Sequence, residues 1–172
     1  MKTRIKYLIL FNILTIVLFL LPAGQLDLFT ENYSTLSLKT EGYLYLLMLG
    51  ILTGAVMAYE TSLIAGRKAG LIVFAAMFLG TMIPHHVPYD FQGDLHLLLA
   101  YTGFFVLILS TYRNTFLAGK DLYGRVLMLV LCAAVLLYMR YMMVNTLAEI
   151  IIMLTCLGID LMISLEILKK RP

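Results

Sequence analysis

Apolar residues run through this chain in long unbroken blocks, with polar residues gathered in short clusters between them. A helix needs about 20 mostly apolar residues to cross a hydrocarbon core of roughly 30 Å. Six stretches meet or approach that length. Residues 7–26 carry no charge, and 42–59 end at Glu60. Residues 67–84 open on Arg67 and Lys68 and hold fifteen uncharged residues, 69–83, before Pro84. Residues 95–112, 126–144 and 146–165 follow, the last two joined by a turn at Asn145. No block alternates apolar with polar positions, so a transmembrane barrel is excluded. The pattern predicts an all-α, polytopic membrane protein: six transmembrane helices in one bundle, forming a single domain over residues 1–172.

Composition agrees. Of 172 residues, 62% are hydrophobic and 13% charged, against roughly 45–50% and about 25% in soluble domains. That excludes an ordinary cytosolic enzyme and a disordered chain. The net charge of +3 comes from scattered basic residues with no basic face, so nucleic acid is not an expected partner.

The cations set an orientation. Eleven of the thirteen fall in the N-terminal segment, the loops after the second and fourth spans, and the C-terminal segment; Lys39 and Arg140 are the exceptions. Asp27, Glu31, Glu41, Asp90, Asp94 and Glu149 fall on the opposite side. By the positive-inside rule both termini are cytoplasmic, in a cell membrane. Lys2 to Lys6, an apolar run and then Pro22-Ala23-Gly24 imitate a cleavable secretory signal. The run is long enough to span and fits the charge alternation, so it reads as a retained first helix.

Cys132 and Cys156 read as small apolar core residues rather than a disulfide or zinc framework. With no Trp, tyrosines such as Tyr33, Tyr89, Tyr101, Tyr123 and Tyr141 are expected at the membrane interfaces. Gly50 with Gly54 and Ala58, and Gly66 with Gly70, have the spacing of close helix packing.

Candidate chemistry concentrates in residues 83–96. All three histidines, His85, His86 and His96, lie there with Asp90 and Asp94. Asp94 is expected to cap the fourth span, with His96 following on the bundle or interface side. Three readings stay open for the histidines. With Asp90 or Asp94 they have the donor types for zinc, but adjacent His85 and His86 cannot easily share one ion and no His-x-x-x-His pair exists. They could hold a phosphate or hydroxyl of a lipid headgroup, or simply decorate a wet loop. Haem lacks axial ligands on facing helices, and no cofactor is expected.

Arg140 and Glu149 are expected at equal depth on neighbouring antiparallel helices, as an ion pair or with Glu149 facing the same outer cavity as His96. Glu60 and Glu166 are expected near the inner surface, within reach of water or of Arg67 and Lys68. Asp160 is deeper and needs a partner, which makes it a minor candidate for a proton or ion path. The first outer loop, 26–41, could fold over the histidine loop and close a pocket. Hydrolase, phosphate-loop and metalloprotease signatures are absent.

The outer-end Pro84, the Asp94-Leu95-His96 opening of the fourth span with Ala100 (within 80–105), and Ala148-Glu149 resemble the Frag–DRAM–Sfk superfamily and its bacterial six-span branch. The Trp positions common in eukaryotic members are missing. The resemblance implies lipid-related roles, such as remodelling of lipid anchors or lipid homeostasis, and no established activity for the bacterial branch. The expectation is therefore a polar extracytoplasmic pocket that binds or modifies a lipid or amphiphile. Its binding residues would be His85, His86, Asp90, Asp94, His96, Arg140 and Glu149. His96, Glu149 and Asp94 are the candidates for any catalysis, membrane lipid is the partner, and a homo-oligomer or partner membrane protein remains open. The alternative is a transporter subunit or scaffold whose polar groups are structural.

Overall fold

The computed structural model describes residues 2–38, 42–83, 91–142 and 144–170. It contains α1 (Lys2–Leu20), short 3₁₀ helices at Leu21–Gln25 and Tyr33–Leu38, α2 (Gly42–Ala65), α3 (Arg67–Met82), α4 (Phe91–Leu117), α5 (Asp121–Tyr141) and α6 (Thr146–Lys170). No strand occurs among the described residues. Among the described residues, five segments are long and apolar enough to cross a membrane: 3–25, 42–65, 91–117, 121–141 and 146–170. The 16-residue α3 rises about 24 Å, less than a hydrocarbon core of roughly 30 Å. Large apolar side chains such as Phe105, Phe116, Leu129 and Leu136 face outward, as suits a multi-pass membrane protein.

The helices run between two ends. At the loop end gather residues 21–38, Ile83, the start of α4 and the start of α6. At the terminal end lie the start of α1, the α2–α3 and α4–α5 turns and the end of α6. Each turn has a local cause. Gly66, at φ +92°, occupies a conformation that L side chains rarely adopt, and it lets α2 fold back into α3. It is thus a turn residue, not the packing residue its spacing with Gly70 suggested. Asn145 caps α6, its Oδ1 accepting the Ala148 N–H at 2.9 Å. Asp94 does not cap α4, which already begins at Phe91; the residue sits exposed in the first turn, where a carboxylate still complements the helix dipole.

Small residues bring α2, α3 and α4 together. A Cβ on Gly54 would stand 3.1 Å from that of Met77, and one on Gly103 would stand 2.8 Å from the Ala76 carbonyl. Such close approach replaces the hydrophobic driving force that lipid-exposed helices lack.

Along the bundle axis the interior falls into three layers. Nearest the loop end, His96, Thr53 and Glu149 mix with apolar residues around a cavity. Fully buried Met57, Leu107 and Leu157 follow, about one turn further along α2, three along α4 and two along α6. Below them Asn12, Glu60, Thr61, Thr111, Asn114, Asp160 and Ser164 are all buried.

Two further expectations change. Cys156 is fully buried, but Cys132 is exposed on the outer face of α5. Tyr33 is not an interfacial residue: it is 4% exposed, its ring stacks on Phe19 with centroids 4.3 Å apart, and its hydroxyl donates to the Phe19 carbonyl.

Candidate functional site

The loop 26–38 is held by its own short-range bonds. The Asp27 carboxylate accepts the N–H groups of Phe29 at 2.8 Å and Thr30 at 3.0 Å, which holds its pKa below the ordinary carboxyl value. The Thr146 hydroxyl and N–H then donate to the Glu31 carbonyl, at 2.9 and 2.7 Å, and pin the loop to the start of α6. Burial, with the Glu149 charge nearby, raises the Tyr33 hydroxyl above its ordinary 10.0, so the phenol stays neutral.

This loop delivers two groups to the bundle. The Tyr33 N–H donates to Glu149 Oε2 at 2.7 Å, and the Ser34 hydroxyl lies 2.9 Å from His96 Nε2. His96 Nδ1 lies 2.6 Å from the Ile83 carbonyl, an acceptor only, so Nδ1 carries the hydrogen. Nε2 of the neutral ring then accepts from Ser34; a protonated ring would donate to it.

Tyr33, Ser34, His96 and Glu149 line one cavity of about 100 Å³, otherwise walled by residues such as Phe19, Leu49 and Met77. A water's share of liquid volume is about 30 Å³, so this space suits one small polar group. A second space of about 290 Å³ runs between α4, α5 and α6 along Leu97, Tyr101, Leu131, Ala134 and Tyr138. Ser34, Ala100, Phe104 and Glu149 line both spaces, so Glu149 stands where the groove meets the cavity. No Lys or Arg lines either one among the described residues.

The sequence-derived candidates separate accordingly. His96 and Glu149 come together, closed over by the first loop. Asp94 is exposed and lines neither space. The Arg140–Glu149 ion pair does not form: Arg140 is exposed at the end of α5, while Glu149 is bonded by the Tyr33 backbone. A long cation at a helix end reaches polar surroundings more cheaply than a buried one. His85, His86 and Asp90 lie outside the described residues. As for zinc, both ring nitrogens of His96 already face protein partners, and among the described residues no group of three His, Cys, Asp or Glu could hold a metal ion.

The sequence reading missed the second polar cluster. Glu60 is not near water beside Arg67 and Lys68; it is fully buried, and Asn12 of α1 donates to its Oε1 at 2.8 Å. Asp160 is bonded by Thr111 and Asn114, each at 3.0 Å. Glu166 pairs instead with Lys120, at 2.6 Å, and this holds the ammonium protonated above its ordinary range. An apolar run interrupted by Asn12, and the spacing Thr111–Asn114 on α4, were the signals available.

No known family, curated protein or solved structure matches the chain.

Proposed function

We propose that the protein crosses the cell membrane six times with both termini cytoplasmic, and that its loop-end pocket holds the polar head of a lipid or other amphiphile. The observation that carries this reading is the shared lining. A small cavity bearing His96, Ser34 and Glu149 shares Ser34 and Glu149 with a longer groove between α4, α5 and α6, whose far part is walled by apolar residues such as Leu131, Ala134 and Val135. A molecule with a polar head and a hydrocarbon tail matches that sequence of surfaces. With a carboxylate and no cation in the lining, the head should be a hydrogen-bond donor, a hydroxyl or amine, rather than a bare phosphate. The Frag–DRAM–Sfk resemblance points in the same direction. For α3, the route from the terminal end at Gly66 to the loop end at Ile83 supports a sixth crossing despite its short length.

Native mass spectrometry of protein extracted from its membrane tests the pocket. Wild type is expected to retain an amphiphile. Glu149→Gln should lose at least about tenfold in occupancy, the equivalent of roughly 1.4 kcal/mol, with its melting temperature little changed. Equal occupancy in both proteins would contradict the reading. Reporter fusions at the two termini test the orientation.

The alternative, a scaffold or transporter subunit whose polar groups only secure the bundle, draws on one observation. His96, Ser34 and Glu149 are already engaged within the protein. It expects Glu149→Gln to lower the melting temperature with no change in bound lipid.

A further inference from the structure

Among the described residues, the inner polar layer holds two carboxylates and no cation. Glu60 on α2 and Asp160 on α6 are both fully buried and within electrostatic reach of each other. They are joined through Asn114, whose Nδ2 donates to Asp160 Oδ1 at 3.0 Å and to Oγ1 of Thr61, the neighbour of Glu60, at 3.3 Å. Arg4 and Lys6 on α1, Arg67 and Lys68 on α3, and Arg113 on α4 are all exposed. The titratable groups facing the pair are each other and Cys156 of α6. α1 and α4 present the neutral Asn12, Thr111 and Asn114.

Two ionised carboxylates this deep in an apolar bundle are not tolerated without neutralisation. The hydrogen bonds show where it falls. Both Asp160 oxygens accept, from Asn114 and from Thr111. Glu60 Oε1 accepts from Asn12, while Oε2 has no donor. Asn114 Oδ1, on the same amide that bonds Asp160, is a buried acceptor with no donor of its own. In the same layer Asn12 Oδ1 and the Ser164 hydroxyl are also buried without a partner, but of the four oxygens of the two carboxylates only Glu60 Oε2 lacks a donor.

We infer that Glu60 and Asp160 form a proton-binding site separate from the loop-end pocket, with the proton on Glu60 and Asp160 as the hydrogen-bonded carboxylate. Access is from the terminal end. A polar cleft of about 310 Å³, lined by Lys120 and Glu166, reaches Ile64 and Ile163. Those residues lie one helical turn beyond Glu60 and Asp160 respectively. On the other side, Met57, Leu107 and Leu157 separate the site from the loop-end cavity.

Infrared spectroscopy of the detergent-solubilised protein at neutral pH, where solvated carboxyls are ionised, tests this. A protonated-carboxyl stretching band sensitive to D₂O is expected. It should shift with ¹³C-glutamate labelling but not ¹³C-aspartate labelling, persist in Glu149→Gln, and vanish in Glu60→Gln. Glu60→Gln resembles the protonated acid and should keep the wild-type melting temperature. Asp160→Asn sets an amide N–H₂ against a donor and should lower it. The proposal is overturned if wild type has no such band, if the aspartate label moves it, if it disappears in Glu149→Gln, or if Asp160→Asn is tolerated and Glu60→Gln is not. Should Glu60→Gln and Asp160→Asn both fail to fold, the labelled wild type and Glu149→Gln decide.

Discussion

The two polar layers of this bundle use the same residue types to opposite ends. At the loop end, Glu149 takes one backbone N–H and faces two open spaces. In the inner layer, Glu60 and Asp160 are fully enclosed and take side-chain donors from α1 and α4. A carboxylate held by a loop beside a cavity is positioned to exchange its partner for a ligand. One enclosed by three helices can exchange little but a proton. The difference lies in what closes each layer: a short loop pinned to α6 in one case, helix interiors in the other.

Substitutions should separate the layers by which property they cost. The largest effect is expected for Asn114→Ala, which leaves Asp160 Oδ1 and Thr61 short of a partner and opens a gap between α2, α4 and α6. Unsatisfied buried groups cost about 1–3 kcal/mol each, so a loss of roughly 2–4 kcal/mol should appear as a clear fall in melting temperature. Lipid bound at the loop end should be unaffected.

Next comes His96→Ala. It removes two hydrogen bonds that tie α4 to Ile83 and Ser34, for about 1–3 kcal/mol, and should also reduce bound amphiphile. Limited proteolysis should then cut within 26–38. Intact loop resistance in this variant would show that the loop is anchored elsewhere.

Tyr33→Phe keeps the stack on Phe19 but loses the hydroxyl bond to its carbonyl, for about 1 kcal/mol. In wild type the Tyr33 hydroxyl is raised in the folded state. Its contribution is therefore complete below pH 10.0 and declines as pH rises through the still higher folded value. Alkaline titration should loosen the loop in wild type, and Tyr33→Phe should remove that component.

The smallest effect belongs to Asp27. Its folded value is lowered, so the contribution is present above pH 3.8 and fades as pH falls through the folded value. Asp27→Asn should abolish this acid-linked change in loop protection, measured by hydrogen exchange at Phe29 and Thr30. An unchanged acid profile would remove Asp27 from the account of the loop.

Much of the architecture was legible because lipid enforces it. Long apolar blocks had to be helices, and the glycine spacing on α2 had to mark close packing. The convergence of His96 and Glu149 could be read from depth, since both lie about a turn inside the same end of the bundle. Their partners could not, because they come from backbone and hydroxyl groups of a loop whose path no periodicity encodes. Arg140 misled for a related reason. Equal depth brings two residues level, but rotation about the helix axis decides whether they face one another, and Arg140 turns outward. The inner cluster was hidden in the opposite way. Asn12, Thr111 and Asn114 carry no charge, so they drew no notice until packing set them against Glu60 and Asp160.

The pocket reading is tested most directly by Ala134→Trp. Ala134 lines the groove between α4, α5 and α6 from α5, a helix that contributes no residue to the loop-end cavity. An indole there narrows the tail path without removing any polar side chain of the cavity. With native mass spectrometry and thermal melting run on the same sample, the expected result is loss of the bound amphiphile at an unchanged melting temperature. Retention of the amphiphile with the groove narrowed would contradict it.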